Sequence, residues 1–296
     1  MFKQGFTGAF AVCLTAMAVV ALTIAGSDPS GGAGLQADLK TFHQHGVYGM
    51  SVVTLVTVQN TRGVSAVEVL APRLVTEQLD AVMADIPPAA IKTGALGRAD
   101  VIAAVAVRAA GFRVPLVVDP VMVSKHGAPL LAADAVDVLV GQLLPLATLV
   151  TPNLPEAARL TGLEVHDPES MERAARAIAA LGPRHVLVKG GHLAGATIDL
   201  LWSDGRVTVF HGERIDTPHT HGTGCTLSAA ITARLARGDD VPAAVAGGRR
   251  FIRAAIAGAP GLGGGSGPVD HFAFPDHRGE GRRSVNCARK SGRPPT

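Results

Sequence analysis

Short apolar runs rich in valine and isoleucine alternate with longer Ala- and Leu-rich stretches from about residue 18 to residue 259. This alternation predicts strands that are buried on both faces and are separated by helices that cover them. The predicted strands are 18–25, 52–58, 89–93, 115–119, 148–151 and 185–189. The predicted helices between them are 34–45, 73–84, 99–110, 134–143, 153–161 and 169–181. We therefore expect an α/β fold with a mostly parallel sheet.

After the sixth predicted strand the pattern changes to IDLLWSDG and RVTVFHGERI. It predicts an antiparallel hairpin that turns at Asp204 and Gly205 and lies at the edge of the sheet. Two further helices, 224–237 and 242–257, are expected to complete the domain.

The chain is expected to hold one domain, residues 17–275, because 47% hydrophobic residues in 296 can supply one large core. Residues 276–296 are polar, basic and rich in Pro and Gly, which predicts a disordered tail. Residues 1–16 are interpreted as an N-terminal extension. The apolar run from Phe6 to Ile24 superficially resembles a secretory signal, but its end, AVVALTIAG, fits a buried first strand better.

The charge of the chain is concentrated in its C-terminal tail. The formal net charge is +3, but residues 276–296 alone carry six Lys or Arg and two acidic residues. The near-neutral remainder, with one Trp and one Tyr, lacks the basic surface and stacking aromatics of a nucleic-acid-binding protein. Three widely spaced cysteines without a metal-binding motif favour a reducing, cytoplasmic setting. No other window is apolar and long enough to suggest a membrane span.

Polar residues collect where the predicted strands end. The positions are a glycine loop at 26–34, Gln59, Lys92 with Thr93, Asp119, Asn153 and Lys189. Ligands of open α/β sheets bind outside the carboxyl ends of the strands. The sequence therefore predicts one ligand site at this edge.

The segment THGTGC places two glycines and Cys225 at the start of a predicted helix. The first turn of a helix leaves amide groups unpaired, so the segment predicts an anion site. A thiol at such a position is expected to have a lowered pKa, which makes Cys225 a candidate base or nucleophile. The alternative is an inert buried thiol.

Other motif residues also have a purely structural alternative. Asp119 fits either a carboxylate at the active edge of the sheet or a helix cap or turn residue. Asn153 with Glu156 fits either a magnesium and phosphate site or a capping box. Lys189 follows a buried strand directly, where a cation suits polyphosphate better than packing. The amide of Gln59 could match a heteroaromatic ring with an amino group beside a ring nitrogen, or satisfy a buried backbone group.

Six segments, in this order and spacing, resemble the hydroxymethylpyrimidine/phosphomethylpyrimidine kinases of thiamine biosynthesis, which are ribokinase-like enzymes. They are ALTIAGSDPSGGAGLQADLKTF, QNTRGV, VVDPVM, TPNLPEA, VKGGH and THGTGCTLSAAI. The resemblance covers about residues 21–272. It implies a three-layer α/β/α fold with antiparallel edge strands, and ATP and Mg²⁺ as co-substrate and metal. It also implies two successive phosphorylations, of a pyrimidine hydroxymethyl group and then of the resulting monophosphate.

The resemblance assigns roles around the acceptor substrate. Gln59 would hydrogen-bond the aminopyrimidine edge, and three further residues would line the pocket, namely Gly26, Asp38 and Val121. Where the family often has methionine after the glycine of KIGM, this chain has Ala95 in KTGAL, which would enlarge the pocket wall.

Roles around the nucleotide follow from the same resemblance. The residues implied to bind ATP are Lys189, Asn153, Glu156 and Thr223, and those implied to organise magnesium are Asp119 and Glu156. The transferring phosphoryl group would lie against Lys189 and the backbone of Gly222, Thr223, Gly224 and Cys225. The Cys225 thiolate would stand near the attacking hydroxyl as its base.

Two other functions fit parts of the sequence. Some pyridoxal kinases of the same superfamily share the cysteine, whereas its sugar kinases usually carry an aspartate there. A non-catalytic pyrimidine-binding protein would not require Asp119, Lys189 and the GTGC loop together. A homodimer is expected from the family alone.

Overall fold

A computed structural model describes residues 18–191 and 197–273 of the protein. The expected extension 1–16 and the expected tail 276–296 lie outside these residues. Among the described residues, no helix is long and apolar enough to cross a membrane.

One nine-stranded sheet organises the described residues, in the order β3-β2-β1-β4-β5-β6-β7-β8-β9. The strands are β1 Val20–Ser27, β2 Tyr48–Asn60, β3 Gly63–Val69, β4 Ala90–Thr93, β5 Leu116–Val118, β6 Leu149–Val150, β7 His185–Gly190, β8 Thr197–Ser203 and β9 Arg206–Gly212. Neighbours from β2 to β7 pair in parallel, whereas β3, β8 and β9 pair antiparallel. The expected mostly parallel sheet with antiparallel edges is confirmed.

Helices cover both faces of this sheet. They are α1 Gly34–Gln44, α2 Pro72–Asp85, α3 Ala99–Ala109, α4 Ala135–Val138, α5 Leu154–Thr161, α6 Pro168–Ala179, α7 Thr223–Ala236 and α8 Val241–Ala257. Successive strand residues point to opposite faces, so Ile91 packs in the core under α2 to α6 while Ala90 packs with α7 and α8. The resulting α/β/α layers match the ribokinase-like architecture implied by the sequence.

Three elements, β2, β3 and α4, differ from the sequence-based prediction. Strand β2 is longer than 52–58 and turns back at Thr61 and Arg62 into β3, which the sequence analysis did not predict. Helix α4 covers only the start of the expected 134–143 segment and continues as a π turn over Leu139–Leu143. The hairpin at Asp204 and Gly205 is confirmed, with positive φ at both residues, as a two-residue turn between twisted strands requires.

Candidate active site

A cavity of about 610 Å³ opens at the carboxyl edge of the parallel strands. Eleven of the twelve residues assigned a role from the sequence line it, namely Gly26, Gln59, Asp119, Val121, Asn153, Glu156, Lys189, Gly222, Thr223, Gly224 and Cys225. Gly26 and Gln59 come from β1 and β2, whereas Asn153 and Lys189 follow or end β6 and β7. The sheet order therefore separates the two groups, and the start of α7 lies between them.

The start of α7 is held close to the glycine loop that follows β1. Gly222 has φ of 79°, and a Cβ at this position would collide with the carbonyl oxygen of Gly32. Only glycine tolerates both constraints without strain. The amide of Thr226 donates to the Gly222 carbonyl at 2.8 Å, which begins the helical ladder.

Unpaired amides at this helix start face the cavity. Within residues 18–191 and 197–273, the backbone N–H groups of Gly224 and Cys225 have no acceptor. A Cβ built on Gly224 would lie 3.4 Å from Lys189 Nζ, so a cation stands beside the same turn. Amides and ammonium together suit a phosphoryl group.

Asp119 and Lys189 form a shielded ion pair at the centre of the cavity. Lys189 Nζ lies 3.1 Å from Asp119 Oδ1, and Ser228 Oγ lies 3.0 Å from Oδ2. Burial alone would raise the pKa of Asp119, but Lys189 and Lys92 outweigh it and hold the pKa below its ordinary value. The pKa of Lys189 is raised, since Asp119 and Glu156 outweigh burial. Both groups are therefore ionised at neutral pH.

Asn153 and Glu156 form the capping box that the sequence allowed. The Glu156 amide donates to Asn153 Oδ1 and the Asn153 amide donates to Glu156 Oε2, both at 2.8 Å. Both side chains also line the cavity, so capping does not exclude a ligand. Burial raises the pKa of Glu156 to about 7, although Lys189 opposes the shift.

The expected low pKa of Cys225 is wrong. Its pKa is raised to about 12, chiefly by burial, with Asp38 and Asp119 reinforcing the shift and Lys92 opposing it. Desolvation and two nearby carboxylates outweigh the helix start. Cys225 is therefore a neutral thiol at neutral pH.

The expectation that Asp38 lines the substrate pocket needs correction. Asp38 is fully buried in α1, where its Oδ2 accepts from Lys92 Nζ at 2.8 Å and from Thr23 Oγ1 at 2.6 Å. It is not among the residues that line the cavity, whereas Lys92 is. Burial would lower the pKa of Lys92, but Asp38, Cys225 and Asp119 outweigh it and raise the pKa. Asp38 thus holds a cation beneath the cavity floor.

Lys92, Asp28 and His221 were given no individual role in the sequence analysis, although Lys92 and the loop that contains Asp28 were expected at this edge of the sheet. His221 Nε2 lies 2.8 Å from Asp28 Oδ2 and 3.2 Å from Gln59 Nε2, and all three residues line the cavity. The available signals were a lysine inside a buried strand and a histidine directly before GTGC. Ala95, the departure from the family pattern, also lines the cavity.

The comparisons with known proteins agree with this geometry. A sequence profile of the phosphomethylpyrimidine kinase family matches residues 28–270. The hydroxymethylpyrimidine/phosphomethylpyrimidine kinase of Streptomyces coelicolor is 50% identical over 84% of this chain and 93% of its own. The thiamine biosynthesis bifunctional protein ThiED of Geobacter sulfurreducens is 52% identical over 85% of this chain, which spans about half (52%) of that protein.

Solved structures are similar over most of this chain. Phosphomethylpyrimidine kinase from Clostridium difficile is 45% identical, with a TM-score of 0.72 over 80% of this chain and 99% of that one. The ADP complex of Bacillus subtilis pyridoxal kinase is 41% identical, with a TM-score of 0.81 over 86% and 98%. Fold, sequence and family profile together show that this chain is a phosphotransferase that belongs to the phosphomethylpyrimidine kinase family.

Proposed function

We propose that the protein transfers the γ-phosphoryl group of ATP to 4-amino-5-hydroxymethyl-2-methylpyrimidine, and then to the resulting monophosphate, in thiamine biosynthesis. The observation that carries this proposal is the start of α7, where two unpaired amides and Lys189 converge between the two groups of cavity residues. Phosphoryl transfer depends mainly on such positioning and charge stabilisation.

ATP binds on the β6 and β7 side of the cavity. Lys189 contacts its phosphates, and Asn153, Glu156 and Thr223 complete this side. The ADP complex of the Bacillus subtilis relative supports nucleotide binding by this fold.

Mg²⁺ would be held by Asp119 and Glu156. The donors are carboxylate oxygens, which fit this ion, and the described residues contain no cluster of three or more metal-binding side chains. The remaining ligands of the ion would therefore be water molecules and phosphate oxygens, as is common for Mg²⁺ in kinases. When bound, it neutralises charge on the phosphates.

The acceptor lies on the β1 and β2 side. Gln59 hydrogen-bonds the aminopyrimidine edge, and Gly26 and Val121 flank the ring. The structure leaves no room for a side chain at Gly26, because a Cβ would meet Leu55 Cδ1 at 2.5 Å.

In the first step the substrate hydroxyl oxygen forms a bond to the γ-phosphorus while the bond to the bridging β,γ oxygen of ATP breaks. ADP leaves, and the hydroxyl proton is lost. A loose transition state forms little bond to the nucleophile, so that proton can leave late, to a phosphoryl oxygen. A neutral Cys225 thiol then contributes contact and hydrogen bonding instead of serving as a strong base. In the second step the nucleophile is a phosphate oxygen and needs no base.

Pyridoxal is the second candidate acceptor. It is favoured by the likeness to pyridoxal kinases and by Ala95 in the cavity wall, which leaves room beside the ring.

The proposal also includes a single domain over residues 17–275, a homodimer and a cytoplasmic location. These three parts are supported by the family resemblance alone.

The deciding experiment is ADP release from ATP and Mg²⁺ with four acceptors offered separately: the hydroxymethylpyrimidine, its monophosphate, pyridoxal and ribose. We expect turnover of the first two. Lys189→Met should lose most of this activity, whereas Arg108→Met, which breaks a remote exposed pair with Asp80, should retain it. Turnover of pyridoxal alone would support the second candidate. Absence of turnover with every acceptor would reject both kinase functions.

A further inference from the structure

His221 connects the glycine loop to Gln59 across a long stretch of sequence. Its side chain is 3% exposed, and its Nε2 lies 2.8 Å from Asp28 Oδ2 and 3.2 Å from Gln59 Nε2. Gln59 is the residue to which the proposed function gives the recognition of the substrate edge. The positions of the protons among Asp28, His221 and Gln59 therefore affect which substrate Gln59 can bind.

Asp28 determines where His221 carries its proton. Its Oδ1 accepts from the amide and hydroxyl of Ser30, and its Oδ2 accepts from the Ala33 amide. Burial would raise the pKa of Asp28, but His221 and Ser30 outweigh it and lower the pKa. An ionised carboxylate only accepts, so His221 Nε2 must be the protonated, donating nitrogen.

Thr57 imposes a second condition at the other end of the Gln59 carboxamide. Its Oγ1 lies 3.0 Å from the Ser27 carbonyl oxygen and 3.2 Å from Gln59 Oε1. The hydroxyl has one proton, and the Ser27 carbonyl can only accept it. Thr57 therefore offers a lone pair, and not a proton, to Gln59.

The Gln59 carboxamide has two orientations, which differ by a 180° rotation about the Cγ–Cδ bond. In one orientation Nε2 lies beside His221 and Oε1 lies beside Thr57. An N–H of Gln59 then faces the N–H of His221, and a lone pair of Oε1 faces a lone pair of Thr57 Oγ1. Rotation by 180° places Oε1 beside the His221 N–H, which then shares its one proton between Asp28 Oδ2 and Gln59 Oε1. It also places an amide N–H against the Thr57 oxygen, so both conflicts disappear.

We propose that His221, backed by Asp28, is a positioning residue that locks the Gln59 carboxamide with its oxygen toward His221, and that this lock makes the enzyme select aminopyrimidines. The inference rests on the proposed function and deepens it. One lone pair of Gln59 Oε1 and one N–H of its Nε2 then remain for the substrate. The acceptor lies on the His221 side and the donor on the Thr57 side, so their order is fixed.

That fixed order matches the aminopyrimidine edge in one orientation only. The exocyclic amino group donates to Oε1 and the adjacent ring nitrogen accepts from the amide N–H. The orientation of the ring also fixes where its hydroxymethyl group points. Pyridoxal lacks an amino group beside a ring nitrogen, so a locked carboxamide binds it less well.

The test compares kcat/KM for the hydroxymethylpyrimidine with kcat/KM for pyridoxal in each variant. If pyridoxal is not turned over, its inhibition constant replaces the second value. His221→Leu removes the donor, and Thr57→Val removes the acceptor. His221→Gln places an amide N–H near the position of Nε2 and should rescue the lock. His211→Gln, at an exposed residue of β9, is the matched control.

We expect the preference for the aminopyrimidine to fall about 10- to 100-fold in His221→Leu and by a smaller factor in Thr57→Val, because an unfixed amide loses this discrimination. It should stay within about threefold in His221→Gln and in the control. A proportional loss on both substrates in His221→Leu would overturn the inference and leave the kinase function standing. If His221→Leu does not fold, an unchanged preference in Thr57→Val overturns it. Absence of activity in the wild type would instead reject the proposed function.

Discussion

Glu156 shows how one side chain can serve both a helix and a site. It caps α5 through Asn153 and lines the cavity beside Lys189 and Asp119. Burial raises its pKa to about 7, from an ordinary value of 4.5. The side chain is therefore partly protonated near neutral pH when no metal is bound.

Replacing Glu156 with Gln should stabilise the metal-free protein at high pH. The folded-state pKa lies above the unfolded one, so the stability of the neutral form is fully present below pH 4.5 and is lost as pH rises through 7. Glu156→Gln keeps an oxygen for the cap and cannot ionise. We expect its free energy of unfolding to exceed that of the wild type by on the order of 3 kcal/mol at pH 8 and by little at pH 4.5.

Urea denaturation in the presence of EDTA measures this difference. Glu164→Gln, at an exposed position in the loop after α5, serves as the control and should show no such dependence. A difference between Glu156→Gln and wild type that does not grow with pH would contradict the assignment.

Individual side chains mark the limit of prediction from sequence. The low pKa expected for Cys225 followed from its place at a helix start, but burial near Asp38 and Asp119 reverses it. The pairing of His221 with Asp28 joins residues 193 positions apart. No local pattern encodes such a contact, because it depends on how the glycine loop and α7 pack together.

At the scale of elements, α7 joins the core to the proposed anion site. Its middle is buried, while its first turn faces the cavity beside Lys189. The two glycines at this start have different tasks. Gly222 permits a positive φ against Gly32, and Gly224 keeps a side chain out of the space beside Lys189 and Asp119.

Alanine substitutions should separate these tasks. Gly222→Ala is expected to destabilise the fold by about 1–3 kcal/mol or more, because the new Cβ meets the Gly32 carbonyl in a strained backbone region. Gly224→Ala should leave stability unchanged or raise it by up to about 1 kcal/mol. It should nevertheless impair turnover, since its Cβ would lie 3.4 Å from Lys189 Nζ and 3.9 Å from Asp119 Oδ2.

Thermal unfolding and kcat/KM for ATP, measured on the same preparations, provide the check. Equal stability losses in the two variants would argue against separate tasks. Full activity in Gly224→Ala would remove the first turn of α7 from the phosphoryl site.

Apolar periodicity predicted most helices and strands, but it did not predict strand β3. Strand β3 has no fully buried residue, so GVSAVEV gives no strong apolar alternation to detect. It forms because the long β2 offers it a pairing edge. The central strands were predictable because helices bury both of their faces.

For the whole molecule, the sheet order predicts two separable ligand sites. The residues proposed to bind the acceptor, Gly26 and Gln59, belong to β1 and β2. Those proposed to bind the nucleotide, Asn153 and Lys189, belong to the region of β6 and β7. This grouping was predictable in outline, because the carboxyl ends of parallel strands meet at one edge. The distances within it depend on tertiary packing and were not.

Ligands for the two sites should therefore stabilise the protein independently. At 100 times its Kd, each of ADP and the hydroxymethylpyrimidine should add about 2.7 kcal/mol, which corresponds to roughly 5–10 °C in Tm for a domain of this size. Differential scanning fluorimetry with each ligand and with both measures this. A second ligand that adds nothing to the first would show that the sites overlap.

The separation of the proposed acceptor and nucleotide residues onto different strands also affects how the substrate of such an enzyme could change in evolution. On the proposed assignment, substitutions around Gly26, Gln59 and Ala95 would change the acceptor, while the residues around Lys189 that bind the nucleotide would stay the same. We therefore expect a lineage with this arrangement to be able to change its acceptor through substitutions on one side of the cavity, while it keeps the residues that transfer the phosphoryl group.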